Sequence, residues 1–363
     1  MCQVNSDEIA TDRLRGLSII VPTYNEADNI GELIKRVESS LKGNVFEIIV
    51  VDDSSPDGTA EIAEELGRAY GNIKVIRRPS KMGLASAILD GMKVAKYDSI
   101  VVMDADLQHP PELLPRLFEK AREGYDVVIA SRYTKGGGVK GWKFWRRLVS
   151  KGATVLAHAL LPKTRKVKDP VSGFFLFKRG VMEGIELKPI GYKLLLELLV
   201  KGKYSKVAEV PYVFKARKRG KSKLSTKEIF NYVKHLLYLT KFRPLKFAAV
   251  GALGMFVNTG LLYLLVLSGF PVHLASPIAI EMSILSNFAL NDLWTFRDRR
   301  GGRWTWRCSK YHLSVLMGAM VNYVVLLLLV ALGSSYVMAN VIGILFGYLI
   351  NYLTSEGLVW ELA

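Results

Sequence analysis

The sequence predicts two joined fold classes: an α/β domain with a mainly parallel sheet and helices on both faces, then an all-α transmembrane domain of four helices. Three observations carry this. Apolar runs of strand length alternate with helical patterns from residue 16 to 224, as parallel strands covered on both faces require. No Lys or Arg occurs from Phe247 to Phe296 or from Tyr311 to Ala363, in a chain whose formal charge is +17. Three of the strands run into acidic or polar turns.

Residues 1–15 are a polar tail without a signal-peptide pattern, so the domain behind it is expected to stay in the cytoplasm. Leu17–Glu26 reads as a strand entering a loop, and a helix with acids in its first turn follows. Glu47–Thr59 is a second buried strand, ending in Asp52-Asp53 and leading into the helix TAEIAEELGRAY. NIKVIRR is a third strand and GLASAILDGMKVA the next helix. SIVVMDAD is a fourth strand, PPELLPRLFEKAREG its helix and YDVVIASRY a fifth strand. In such sheets ligands bind beyond the carboxyl ends of the strands. Tyr24/Glu26, Asp52/Asp53 and Asp104/Asp106 should therefore converge on one crevice.

Residues 225–243 read as an amphipathic interfacial helix and 244–363 as the membrane domain, with spans near 245–268, 273–296, 311–333 and 336–359. The second is the weakest, because it holds Glu281, Asn287, Asn291 and Asp292. The loop Arg297–Lys310 is basic, whereas the turns after spans one and three carry no Lys or Arg. The positive-inside rule places that loop, the N-terminal domain and the C-terminus in the cytoplasm. Glu281 is either functional, since charge in a bilayer is costly, or a packing partner for an Asn on a neighbouring helix.

There is no G-x-G-x-x-G after the first strand and no P-loop motif, which argues against a dehydrogenase or a P-loop enzyme. A crevice rich in carboxylates, with one amide, suits a hard divalent ion, Mg²⁺ or Mn²⁺, shared with a ligand's phosphates. Asp106 and Gln108 alternate along an extended segment, so both can face one ion. Gln is otherwise confined to Gln3. His109, before Pro110-Pro111, is expected to shape the turn.

VPTYNE, VVDDSSPDGT and MDADLQHPPE, in this order and spacing, resemble the inverting GT-A (Rossmann-like) glycosyltransferases of family 2. SRY, GGGVKGWKFWRRLVSKGA, DPVSGFFLFKR and GKSKL resemble the dolichyl-phosphate mannose synthases within it. The four-helix tail resembles GtrA-like membrane domains. The resemblance implies transfer of mannose from GDP-mannose to dolichyl phosphate, with a divalent metal. It implies that Pro22, Tyr24, Glu26, Val51 and Asp53 hold the nucleoside, that Asp104 and Ala105 lie along the ribose and diphosphate, and that Asp106 and Gln108 hold the metal. Arg132, Arg217 and Lys223 would neutralise phosphate oxygens. A polyprenyl phosphate is already anionic at neutral pH, so it needs a cationic seat rather than a general base. Arg132, Arg146 and Ser150 are the residues expected to form it, with Asp104, Asp106 and Arg132 the catalytic set.

Lys140–Leu161 places Trp142, Trp145, Val149, Gly152, Leu156 and Leu160 near one helical face, ringed by basic residues. A basic amphipathic helix with Trp reads as a membrane-surface element. The Gly-rich stretch before it, Tyr133–Gly141, reads as a loop that closes over a substrate. The basic runs Lys163–Lys168 and Lys215–Lys223 fit an anionic leaflet and a phosphate-headed substrate better than nucleic acid, because no nucleic-acid fold is visible. Two alternatives stay open: a UDP-glucose-dependent polyprenyl-phosphate glucosyltransferase, and a lipid-linked-sugar flippase with a coupled transferase domain. A processive polysaccharide synthase is disfavoured, because no Gln follows Gln108 to build a Q-x-x-R-W motif.

Overall fold

A computed structural model describes residues 16–142, 144–188, 190–191, 193–215 and 226–361. Arg217 and Lys223 lie outside the described residues. The chain divides into two compact units, up to Leu239 and from Thr240 onward.

The first unit holds a seven-stranded sheet. Its strands are β1 (Leu17–Thr23), β2 (Phe46–Asp52), β3 (Ile73–Arg77), β4 (Ser99–Val102), β5 (Val127–Ser131), β7 (Phe175–Lys178) and β8 (Val207–Pro211), in the order β3-β2-β1-β4-β7-β5-β8. β1 pairs in parallel with β2 from Leu17↔Phe46 to Thr23↔Asp52, and with β4 from Leu17↔Ser99. β7 alone in this sheet runs antiparallel, between β4 and β5. The expected mainly parallel sheet is therefore present, with one reversed strand that the sequence reading did not include.

Both faces of the central strands are buried, and residue parity decides which layer each side chain joins. Leu17, Ile19, Val21, Ile48 and Val50 pack with Ile30, Leu33 and Ile34 of helix α1 (Ala27–Ser40), Ala63 of α2 (Thr59–Tyr70) and Leu117 of α4 (Leu114–Arg122). Ile20, Ile49, Val51, Ile100 and Val102 face Ile88 of α3 (Leu84–Val94) and Leu195 and Leu198 of α6 (Leu194–Lys201). These continuous apolar strands fix the scaffold whose ends carry the polar turns.

Two further helices flank the site: α5 (Phe144–Leu160) and α7 (Thr226–Leu239). Ala157 and Leu161 pack with Leu196, Leu236 and Leu239. The opposite sides stay open: Phe144, Trp145 and Val149 of α5 and Ile229, Phe230 and Val233 of α7 are exposed. The expected apolar face holds for Trp145 and Val149. It fails for Trp142, which lies before the helix and packs edge-on to Phe214 at 5.3 Å between centroids. The Gly-rich stretch is also not simply a loop, because Gly138–Lys140 (β6) pairs in parallel with Val213–Lys215 (β9). Gly137 is required there, since a Cβ would lie 2.6 Å from Ser131 O.

The second unit contains α8 (Arg243–Leu267), α9 (Val272–Leu290), α10 (Trp304–Ala331) and α11 (Tyr336–Thr354). Four helices stand where four spans are expected. Among the described residues, α8, α10 and α11 with its terminal turn are long and apolar enough to cross a membrane; α9 does not reach that level. The basic loop is shorter than expected, because the helix of span three already begins at Trp304. Arg307 thereby leaves the loop and joins a helix.

The two hairpins of this unit are repeats of one pattern. Arg243, Gly254, Asn258, Asn287, Asp292 and Phe296 recur at constant spacing as Arg307, Gly318, Asn322, Asn351, Glu356 and Trp360. Each second helix ends in a π turn, Asn291–Thr295 and Ser355–Val359. The charges pair across the repeats: Arg307 Nε lies 2.9 Å from Asp292 Oδ1, and Arg243 Nη1 lies 3.4 Å from Glu356 Oε1. The equivalent rings Phe296 and Trp360 stack at 4.4 Å. Glu281 meets His312 Nε2 at 3.0 Å; the expected Asn partner is not what it faces. Its counterpart in the second hairpin is Leu345.

Candidate active site

Three strand ends of the first unit meet at one cavity of about 1340 Å³, lined by Pro22, Tyr24, Glu26, Asp53, Asp104, Ala105, Asp106, Gln108, Arg132, Arg146 and Ser150. Val51 is not in this lining; it is a core residue of the sheet beneath. Each strand end carries a non-glycine residue in the left-handed region: Asn25 (φ 57), Ser54 (φ 60) and Leu107 (φ 60). Side chains rarely adopt that conformation unless the surroundings impose it, and such positions concentrate at functional sites.

The acids at these ends are held in different ways. Asp52 accepts from the hydroxyls of Thr23 (2.8 Å) and Ser55 (2.6 Å) and from the Ser55 backbone N–H (2.8 Å). It is a turn-builder. Asp57 accepts from the Ala27 N–H at 3.1 Å and from Thr59, tying the start of α1 to the start of α2. Asp53 pairs with buried Arg78 and also accepts from the Gly83 N–H at 2.9 Å. Arg78 in turn donates to Ser86 Oγ (2.8 Å) and lies 3.2 Å from Asp90. A base seated at Asp53 would meet a carboxylate already fixed in place.

Asp106 and Gln108 both face the cavity, but not by extended alternation. Left-handed Leu107 folds the chain, and the Gln108 N–H donates to Asp106 Oδ1 at 3.0 Å. The Gln108 amide nitrogen donates to Lys215 O at 2.7 Å, which turns its oxygen to the other side of the amide. His109 does shape this turn: its Nδ1 accepts from the Asp104 N–H at 3.0 Å, and its ring stacks on Phe174 at 5.2 Å.

Arg132 leaves the end of β5 and is gripped by Asp169, with Nε and Nη2 each donating at 2.7 Å and its backbone N–H at 3.0 Å. Burial opposes its charge, yet the hydrogen bonds and charge of fully buried Asp169 outweigh burial and raise its pKa. Arg146 stacks on Trp142, 4.3 Å from the ring centroid. Ser150 exchanges a 2.8 Å hydrogen bond with Tyr133. These three expected residues do line one wall of the cavity. From that wall the cavity runs between α5 and α7, along Val149, Gly152, Leu156, Ile229, Tyr232 and Val233.

Four functional candidates escaped sequence reasoning: Arg78, Asp169, Tyr133 and Lys193. Each acts through a partner remote in sequence, and no motif marks the pairing. Two of them had a signal, Asp169 at the head of the DPVSG segment and Tyr133 at the end of SRY.

Residues 18–185 match Glycosyl transferase family 2, and residues 246–360 match the GtrA/DPMS transmembrane domain. A protein of Pyrococcus furiosus named dolichol-phosphate mannosyltransferase is 49% identical over 95% of this chain and 99% of its own length. A Saccharomyces cerevisiae protein of the same name is 38% identical over 62% of this chain and 88% of its own. A crystal structure of a mycobacterial protein superposes with a TM-score of 0.50 at 22% identity, over 64% of this chain and 76% of that one, a likeness of fold alone. The chain belongs to glycosyl transferase family 2, with dolichol-phosphate mannosyltransferases among its relatives, and carries a GtrA/DPMS transmembrane domain behind the catalytic one.

Proposed function

We propose that the protein transfers mannose from GDP-mannose to dolichyl phosphate with inversion, giving dolichyl-phosphate mannose on the cytoplasmic leaflet of the cell membrane for glycosylation. The observation that carries this reading is the single cavity joining acidic strand ends to an apolar groove between α5 and α7. A nucleotide sugar fits the first part, and a phosphate-headed polyprenyl chain fits the second. The relatives' shared name supports mannose and dolichol phosphate.

The donor set suits a hard cation. Among the described residues no three His, Cys, Asp or Glu side chains converge as a metal cage. One carboxylate and one amide oxygen, Asp106 and Gln108, match an Mg²⁺ or Mn²⁺ ion that takes its other ligands from a diphosphate and water. When bound, such an ion stabilises negative charge on the departing nucleotide.

The chain's own residues supply orientation. Asp53 and Tyr24 hold the nucleoside end, and Asp104 sits where the sugar and ribose pass. Arg217 and Lys223, in the segment after β9, belong to the donor phosphates in this reading. Arg132, Arg146 and Ser150 bring the acceptor phosphate to the anomeric carbon. A phosphate oxygen forms the new bond to C1, the bond from C1 to the GDP oxygen breaks, and GDP leaves with that electron pair. No proton is moved, so no general base is needed. Exposed Trp145 and Phe230, 72% and 69% accessible, are the anchors by which α5 and α7 meet the bilayer surface.

The test offers the purified protein labelled GDP-mannose, UDP-glucose and UDP-N-acetylglucosamine with polyprenyl phosphate, with and without Mn²⁺. Mannose label entering lipid only with the metal is expected. Label entering lipid from UDP-glucose alone would replace this reading with glucosyl transfer. Transfer that persists without residues 244–363 assigns the tail to anchoring or to a separate activity such as flipping.

A further inference from the structure

Lys193 lies in the wall of the same cavity, directly before α6. Its Nζ donates to the Val171 carbonyl at 3.0 Å, and among the described residues it forms no ion pair. Arg132 differs: Asp169 takes two of its donors and matches its charge. A lipid phosphate entering between α5 and α7 therefore meets an arginine already gripped by a carboxylate at Arg132, and at Lys193 an amine that, among the described residues, no carboxylate contacts. The charged groups facing Lys193 are Arg132 at the end of β5, Asp169 before β7, Asp104 after β4 and Glu228 on α7. Resting on the transfer reading above, we propose that Lys193 binds a phosphate oxygen of the polyprenyl phosphate acceptor, as a cation of that seat beside Arg146.

The electrostatics agree with the geometry. Burial first, and Arg132 second, bring the Lys193 pKa down to about 8. The ammonium still dominates at neutral pH, and an anion placed against it relieves its burial. Acceptor binding then raises that pKa, so affinity is full below pH 8 and declines as the free site loses its proton. A lysine suits the role because its pKa responds to burial, whereas an arginine would stay charged throughout.

The experiment measures KM for a short polyprenyl phosphate and for GDP-mannose, using the full chain in detergent. Lys193→Met is expected to raise acceptor KM on the order of 10- to 100-fold and to leave donor KM within about twofold. Wild-type acceptor KM should climb from pH 7.5 to 9; in Lys193→Met it should be flat over that range. Lys193→Arg should restore much of the affinity and flatten the profile. Thermal stabilisation by GDP with Mn²⁺ reports that each variant is folded. An unchanged acceptor KM in Lys193→Met, an equal rise in donor KM, or identical pH slopes in variant and wild type overturns the proposal. Wild-type protein that moves no mannose to lipid removes the transfer reading instead. Tryptophan quenching by polyprenyl phosphate, compared between wild type and Lys193→Met, then still tests this lysine.

Discussion

Asp52, beside the catalytic crevice, and the acids at the helix ends of the membrane tail are held by opposite means. In the tail, Asp292 faces Arg307 and Trp360, and Glu356 faces Arg243 and Arg299, so each carboxylate is matched by arginine. Beside the crevice, Asp52 is held by hydroxyl and backbone N–H groups. Neutral donors fix a carboxylate without cancelling its charge, whereas an arginine does both. The difference separates an acid held by neutral donors at the edge of the crevice from an acid that closes a structure with an arginine. Asp53 belongs with the second kind by its partner Arg78 and with the first by its place in the cavity.

Single substitutions sharpen the contrast. Asp106→Ala should lower metal-dependent transfer on the order of 1000-fold while the melting temperature stays within a degree or two. Transfer assays with and without EDTA, beside thermal unfolding, check both halves; normal activity in EDTA would remove the metal assignment. Asp292→Ala should do the reverse. It leaves Arg307 buried without its carboxylate, which costs about 3 kcal/mol or more, read as a lower melting temperature in detergent. Turnover per folded molecule should stay within about twofold; a catalytic loss comparable to that of Asp106→Ala would break the division.

Arg132 tests the boundary between the classes, because it is an arginine matched by a carboxylate yet lines the cavity. Arg132→Ala should lower kcat on the order of 100-fold with donor KM nearly unchanged. A pure loss of nucleotide affinity would sink its acceptor-side role.

The smallest effect concerns pH. Burial works to raise the Asp57 pKa, but its hydrogen bonds to Thr59 and to the Ala27 backbone outweigh it and hold the carboxyl below its usual range. A depressed folded pKa means that its contribution is present above the unfolded value, about 4, and is lost as pH falls through the folded one. Asp57→Asn should therefore cost no more than about 1 kcal/mol near neutrality. That cost should vanish at pH 2 to 3, where wild type and variant unfold alike. A cost that persists at acid pH would show that shape, not charge, matters there.

Much of this was legible in the sequence for a physical reason. Strand runs that end in Asp52-Asp53 and Asp104-Ala105-Asp106 announce both the sheet and its active edge, because buried parallel strands tolerate polar residues only at their ends. Arg146 and Ser150 were legible because one helix carries both. What stayed hidden depends on contacts distant along the chain: Arg78 with Asp53, Arg132 with Asp169, and Lys193 beside Val171. β7 was hidden because FLFK is four residues long and reversed between parallel neighbours. The duplicated pattern of the tail was present in the letters, but shared apolar composition obscured it until its arginines were seen to cross over.

That crossing has a consequence for how the tail is made. A nascent chain halted after α9 would already hold Arg243 without Glu356, and Asp292 without Arg307 and Trp360. The first hairpin matches its charges only in part by itself, through Arg243 with Asp298 at 2.8 Å and Asp292 with Arg300 at 3.8 Å, so the full set of pairs waits for the second to be synthesised. The crossed pairs thus make completion of the second hairpin part of the folding of the first.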